Sequence, residues 1–583
     1  MRNTLFFGDN LPVLREYIPD ESVDLVYLDP PFNSNASYNV LFREQSGEES
    51  PAQIRAFNDT WAWTSQAQLT YEEFIQDPRA PSAVREMVGA FRQFVGANAM
   101  MAYLVMMAPR LVELRRVLKP AGSLYLHCDP TASPYLRILL DAVFGKERFR
   151  NEIVWRRTNA HSNDKVYGRI HDLLLFYTKT DNYHFEPQTR PYLKGYVESM
   201  FRLRDERGVY RHADATAPET RTGESGEPWR GYDPTAAGRH WAIPAFLRED
   251  LERRGEALDN LTSQEKLELA LKHDLIYFPE REGGQPQIKR YLTEREGSKL
   301  QDIWAYQPYS QGMLWGAEEA IDADVQWVQK GERLGYPTQK PEGLIRRIIR
   351  TSCPEGGVVL DPFCGCGTAI AAAQQLGRQW IGIDITHLAV ALMKSRVKDM
   401  FDLTPRTDYD VVGEPQDEGG ARALWEQDPF QFQYWALSLL EAQPQGDQRR
   451  GADRGVDGIV HFIDGPRRTL RRAVVQVKGG RVSSPQIRDL KGVIEREKAA
   501  MGLFITLHEP TREMLTEAVT AGHYRSDLWR RDYPKLQIRT VRQLLEGQGF
   551  DLPTSQSSYQ RAARVAQPQG RQATLRELMG DYR

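Results

Sequence analysis

Cysteine is scarce in this chain: four thiols, Cys128, Cys353, Cys364 and Cys366, in 583 residues. So few build no disulfide framework at this size, which fits a reducing cytoplasm. A zinc site is excluded on similar grounds, because no Cys-x-x-Cys pair occurs and Cys364 and Cys366 share one glycine-rich turn. Long apolar runs are lacking too, and nothing approaches the span of a membrane helix. Met1-Arg2-Asn3-Thr4 leads directly into a strand pattern, with no signal peptide. Nor does charge of one sign prevail, since the net charge is −3. Any surface for a polyanion must therefore be a local basic cleft. Internal repeats are absent.

What the chain has is length enough for roughly three to four domains and a hydrophobic content of 41%, which supports packed globular cores. An apolar run, Val23 to Leu28, ends in Asp29-Pro30-Pro31-Phe32. An exocyclic ring amine is a poor nucleophile because its lone pair is delocalised. A carboxylate (Asp29) and the Pro30 carbonyl can accept its two hydrogens and draw the nitrogen towards sp³ geometry. Pro30 and Pro31 stiffen the turn, and Phe32 can stack on the ring.

A second signature, Asp361 to Thr368, follows the strand pattern Val358 to Leu360 and opens an alanine-rich helix pattern, Ala369 to Leu376. Gly365 and Gly367 let the backbone approach a ligand, and a helix N-terminus offers free N–H groups to a carboxylate. The next strand pattern, Trp380 to Ile383, ends in Asp384, placed to accept ribose hydroxyls. A nicotinamide or flavin site would share these features. The Asp29 motif decides between them, because hydride transfer has no use for it.

With these motifs the chain resembles the β-class of amino DNA methyltransferases, in which the Asp-Pro-Pro-aromatic motif precedes a target-recognition segment and the cofactor loop follows it. Gly8-Asp9-Asn10, Gly122 to Gly145, Arg150 to Arg157 and Thr338-Gln339-Lys340-Pro341 resemble further motifs of that class. The resemblance implies a doubly wound, mostly parallel Rossmann-like α/β sheet with Asp29 and the Asp361 loop meeting at strand carboxyl ends. It implies S-adenosylmethionine as cofactor, held by Asp9, Thr338, Lys340, Asp361, Phe363, Gly365, Gly367, Thr368 and Asp384. Asp29, Pro30, Pro31 and Phe32 become the catalytic group acting on a base extruded from double-stranded DNA. Two departures stand out. Cys366 occupies a position where serine is common, which predicts weaker or rearranged binding. The motif begins with aspartate, where cytosine-N4 enzymes usually have serine, which favours adenine N6. A homodimer, as in some relatives, stays open.

Between residues 156 and 330 the periodic pattern weakens and cations alternate with aromatics: Tyr192 and Lys194, Phe201-Arg202, Tyr210-Arg211-His212, Trp229-Arg230, Arg239-His240-Trp241, Lys289-Arg290-Tyr291. Cations can neutralise phosphates and aromatics can hold an extruded base; the competing reading is an irregular insertion whose aromatics pin it to a core. The expected order is methyltransferase core in 1–155 and 331–402, target recognition in 156–330, a polar linker in 403–424, a further domain in 425–545 and a polar tail in 546–583, with a short helix over Ala573 to Met579.

That further domain carries Asp457 and, on a strand pattern ending at Lys478, Gln476-Val477-Lys478. Alternation puts Gln476 and Lys478 on one face. Asp457 and Gln476 can hold Mg²⁺, and Lys478 can orient or deprotonate water for attack on a phosphodiester. This segment resembles the Mrr-like branch of the restriction-endonuclease fold, with Asp457, Gln476 and Lys478 as its catalytic set and Glu441 as a compensating acid. The expectation is a DNA methyltransferase of a restriction-modification or related DNA-defence system with a fused endonuclease-like domain. The alternative is a cytosine-N4 enzyme whose C-terminal domain only binds DNA.

Overall fold

The computed structural model describes residues 2–31, 37–40, 54–58, 62–158, 165–280, 284–292, 297–305, 322–334, 336, 338–445, 455–464 and 469–553. Among them one large sheet contains β1 (Thr4–Phe7), β2 (Val23–Leu28), β3 (Leu118–Cys128), β4 (Phe149–Arg156), β5 (His171–Thr178), β6 (Ile303–Trp304), β7 (Val358–Asp361), β8 (Gln379–Asp384) and β9 (Asp410–Val412). Their order is β6-β4-β5-β3-β2-β7-β8-β1-β9. Every neighbouring pair is parallel except those made by β5, which runs antiparallel to both β3 and β4.

Alternation along these strands feeds two separate cores. Phe6, Val26, Leu28, Leu124, Leu126, Leu360 and Ile383 pack on one face with helices such as Asn10–Tyr17, Ala99–Val117 and Ser133–Phe144. Leu5, Leu25, Tyr27, Tyr125, Val359 and Trp380 pack on the other with helices Glu342–Ser352, Thr368–Gln375 and His387–Phe401. Each buried Leu, Ile or Phe contributes roughly 1.5–3 kcal/mol. This is why a continuous apolar run such as Leu25 to Leu28 reads as a strand covered on both sides.

The β5 strand and β6 belong to this sheet, so the compact second unit is narrower than the 156–330 segment; its described residues lie between Thr189 and Leu300. It holds a small antiparallel sheet in the order Ile276–Tyr277, Gln287–Tyr291, Gly208–Asp214, Leu203–Asp205. Its core is Trp229, Trp241, Leu247, Leu251, Leu267, Leu275 and Ile288. Two of the aromatics read as base-holding candidates are thus core residues, Trp229 being 4% and Trp241 2% exposed. Several of the cations are paired within the unit, Arg230 with Glu268, Arg239 with Asp214 and Lys289 with Asp274.

The 403–424 segment, expected as a linker, contributes strand β9 and the start of helix Glu418–Gln427. Its acids, prolines and glycines serve caps and turns: Asp417 caps that helix by accepting from the Gly420 N–H. Farther on, a five-stranded sheet among the described residues is ordered β10 (Gln443–Pro444), β11 (Gly458–Asp464), β12 (Thr469–Lys478), β13 (Met501–Thr506), β14 (Leu536–Thr540). Its first two pairings are antiparallel and its last two parallel. The expected helix over Ala573 to Met579 lies outside the described residues.

Candidate active site

Four adjacent parallel strands, β2, β7, β8 and β1, each end in an acidic position at the same edge: Asp29, Asp361, Asp384 and, after Gly8, Asp9. Ligand crevices form outside strand carboxyl ends in open α/β sheets. A cavity of about 330 Å³ lies there, lined by Asp9, Asp29, Pro30, Pro31, Thr338, Lys340, Asp361, Phe363, Gly365, Thr368 and Asp384, with Tyr27, Arg110 and Tyr336. The structure therefore brings together every expected cofactor residue except Gly367, which sits beside the lining and shapes the loop. Phe32 lies outside the described residues.

Lys340 reaches across the cavity to ion-pair with Asp29, both side chains being mostly buried. Asp361 is 3% exposed and accepts from the Phe363 N–H at 3.0 Å. Burial pushes its carboxyl well above the usual range, and the charges of Asp29 and Asp384 push the same way. Asp384 accepts from Gly365 N, Thr386 N and Thr386 Oγ1, each at 2.9 Å. A carboxylate offers about four lone-pair sites; one here braces the glycine turn at Gly365 and two hold Thr386, the N-cap of helix His387–Phe401. Asp384 thus ties the glycine loop to the start of that helix.

Asp9 caps helix Asn10–Tyr17, accepting from Leu11 N at 2.8 Å, and is held by Arg110 Nη2 at 2.7 Å. Arg110 also donates to Asn10 Oδ1 at 2.5 Å, and Asn10 donates to Pro362 O at 2.7 Å. The chain Arg110, Asn10, Pro362 thus ties the first strand's end to the cofactor loop. On the loop's other side Arg396, 0% exposed, pairs with Glu342 at 2.6 Å and donates to Cys366 O at 3.1 Å and Thr368 Oγ1 at 3.3 Å. Sequence reading missed Arg110, Glu342 and Arg396. An arginine inside a helix carries no motif; only Glu342, directly after Thr338-Gln339-Lys340-Pro341, had a signal. Gly367, at φ +76°, lies where a Cβ would meet Met393 Cγ at 2.7 Å. Cys364 and Cys366 are buried free thiols whose ionisation burial pushes up, so both act as packing residues.

A family model described as DNA methylase, of the N6/N4 type, matches residues 23–395. The chain belongs to the N6/N4 DNA methylase family. A second model, described as NACHT-associated inactive Restriction Endonuclease 1, matches residues 431–546, where the sequence had suggested an Mrr-like domain. The type II methyltransferase M.EcaI of Enterobacter cloacae is 29% identical over 296 residues, 51% of this chain and 57% of that protein. The Mod subunit of the type III restriction-modification enzyme StyLTI of Salmonella typhimurium is 26% identical over 385 residues, 65% of this chain and 50% of that protein. The chain thus spans about half the length of the curated relatives it matches. A solved structure, the M1.HpyAVI–SAM complex, is similar at 12% identity and a TM-score of 0.27, covering 67% of this chain and 97% of that one.

In the C-terminal part of the methylase, Asp457 precedes β11 and its Oδ2 accepts from Val477 N at 2.7 Å. Gln476 is buried, its Nε2 contacting Gly455 O at 3.5 Å while its Oε1 has no hydrogen-bond partner among the described residues. Lys478 ends β12, half-exposed. The three expected residues are neighbours in the sheet, but they supply one carboxylate, one oxygen of which accepts from a backbone N–H. Among the described residues no group of three or more His, Cys, Asp or Glu is arranged to hold a metal. Glu441, the expected compensating acid, pairs with Lys398 at 3.5 Å.

Proposed function

We propose that this methylase transfers the methyl group of S-adenosylmethionine to the exocyclic amine of a DNA base, adenine N6, as the modification component of a restriction-modification or related DNA-defence system. The observation that carries the reading is the common cavity of Asp29 and the Asp361 loop. The residues present fit the cofactor: acids at four strand ends suit hydroxyl and ammonium groups, and the Gly365 to Thr368 bend lets backbone and helix N-terminus meet a carboxylate. Bound there, S-adenosylmethionine supplies a methyl group on a sulfonium.

Asp29 and the Pro30 carbonyl accept the amino hydrogens and raise nitrogen nucleophilicity, so direct in-line transfer needs no covalent enzyme intermediate. Lys340 donates to Asp29 Oδ2 and so holds the carboxylate in place at the cavity wall. Adenine is favoured over cytosine by the aspartate at the head of the motif. The test is incubation of the full chain with labelled S-adenosylmethionine and duplex DNA, followed by nucleoside analysis. N6-methyladenine is expected; N4-methylcytosine would establish the alternative base, and label on RNA or protein alone would reject DNA as substrate.

For the C-terminal domain we favour DNA binding without cleavage. At position 476 glutamine stands where a carboxylate is the commoner metal ligand, Asp457 is the one carboxylate of the expected set, and the matched model is described as inactive. Mg²⁺-dependent nicking that disappears in Lys478→Ala would overturn this.

A further inference from the structure

Beneath the cavity runs a buried polar chain that the reaction as described does not use. Tyr27 lines the cavity on β2, two residues before Asp29 and so on the same side of the strand's path. Its hydroxyl is 3.2 Å from His127 Nδ1 on β3. His127 Nε2 is 3.2 Å from Asp172 Oδ2 on β5, and Arg157 Nη1 stands 3.3 Å from Asp172 Oδ1. Tyr27 is 2% exposed, His127 0% and Asp172 1%. Trp155 sets its ring edge-on to His127 at 5.3 Å. Three buried polar side chains aligned beside the apolar core of Tyr125, Trp155 and Leu174 carry a desolvation cost that bland packing would avoid.

The order of partners fixes the protons. Burial alone would raise the Asp172 carboxyl, but the hydrogen bond from His127 and the nearby Lys340 and Arg157 cations hold the group below the usual range. An ionised Asp172 accepts the Nε2 proton of His127, which leaves Nδ1 as an acceptor. Tyr27 then donates its O–H to Nδ1 and keeps its oxygen lone pairs free to accept. The cavity-side charges facing Tyr27 are Asp29 and Asp361. Asp29 is already engaged by Lys340.

We propose that Tyr27 is a further catalytic residue, the entry to a proton relay through His127, which Asp172 orients and Arg157 anchors. The inference rests on the methyl-transfer reading. As the amine lone pair forms the N–C bond, the C–S bond breaks with its electrons on sulfur, and the nitrogen is left with a surplus proton. That proton passes to the Tyr27 oxygen while the Tyr27 proton moves to His127 Nδ1. The resulting imidazolium beside ionised Asp172 has the logic of a Ser-His-Asp arrangement. It returns the proton by the same path when water refills the emptied cavity. Tyr27 touches substrate; His127 and Asp172 are positioning residues.

The experiment uses the full chain, with Tyr27→Phe, His127→Gln, Asp172→Asn and the Tyr27→Phe/His127→Gln double variant. Tyr27→Phe removes one oxygen and keeps the packing, so it preserves the fold. Single-turnover transfer to DNA is expected to slow about 10²-fold in Tyr27→Phe, with binding of S-adenosylmethionine and of DNA within a factor of two of the parent. The double variant should be no slower than the worse single one, since the residues act as a unit. ¹⁵N-histidine NMR of the ligand-free chain should give the Nε2–H form for His127 and lose it in Asp172→Asn. A parent that methylates DNA while Tyr27→Phe keeps its full rate overturns the relay alone, and so does an Nδ1–H tautomer in the parent. A parent that transfers no methyl to DNA overturns both readings.

Discussion

Lys340 Nζ donates to Asp29 Oδ2 although 311 positions of chain separate the two residues. The pair spans the cavity and joins the catalytic turn to the segment that opens helix Glu342–Ser352. Asp29→Ala removes the proposed acceptor for the target amine, so methyl transfer is expected to fall by about 10²–10³-fold or more, while S-adenosylmethionine binding, measured by calorimetry, stays within a few-fold. Unchanged transfer by Asp29→Ala would remove the basis of the mechanism.

Arg396 and Glu342 form a buried ion pair that also fixes the Cys366 carbonyl and the Thr368 hydroxyl. Removing one partner strands the other charge, which costs about 3–5 kcal/mol. Arg396→Met is expected to lower the urea midpoint accordingly and to weaken cofactor binding, because the loop loses its brace. A variant with parental stability would show that the pair is solvated in solution.

Asp361 makes stability and cofactor affinity respond to pH in opposite ways. Burial raises its carboxyl well above the usual range, so the folded, ligand-free chain keeps a proton that the unfolded chain releases near about pH 4. The folded state then binds more protons than the unfolded one, and this group's contribution to stability declines as pH rises from there towards the folded value. Asp361→Asn cannot ionise and is expected to raise Tm at neutral pH and flatten that decline. A cationic ligand favours the carboxylate, so binding by the parent should release a proton and tighten with rising pH. Calorimetry in buffers of different ionisation enthalpy reads the proton directly.

Gly367 and Gly377 separate backbone from packing effects. Both have left-handed φ, +76° and +68°, but a Cβ at Gly377 meets nothing within 4 Å whereas one at Gly367 meets Met393 Cγ at 2.7 Å. Gly377→Ala should cost only the conformational penalty, about 1–2 kcal/mol, with cofactor binding unchanged. Gly367→Ala adds overpacking of about 1–3 kcal/mol and should lose cofactor affinity. Equal effects in chemical denaturation would mean that the loop yields freely.

Much of the methylase was legible locally. The apolar run Val23 to Leu28 is strand β2 as read, the strand over Val358 extends to Asp361, and the alanine-rich helix runs Thr368–Gln375. Strands buried on both faces and glycine bends that open helices leave strong local signals. The insertion was less legible. Alternating cations and aromatics suit a nucleic-acid surface and a small self-contained core equally well, and only burial shows that Trp229 and Trp241 belong to the core.

The sequence by itself determined the chemistry that each segment can perform, because Asp-Pro-Pro and a glycine bend between strand and helix constrain backbone and hydrogen bonding within a few residues. Tertiary structure alone decided which of these segments meet. The pairing of β2 with β7 brings the Asp29 turn to the sheet edge where Asp361 ends its strand, the pairing of β3 with β5 sets His127 diagonal to Asp172, and helix packing brings Arg396 to Glu342. Those encounters depend on strand order and helix packing, which arise from hydrophobic contacts among residues hundreds of positions apart and leave no mark in any short stretch of chain.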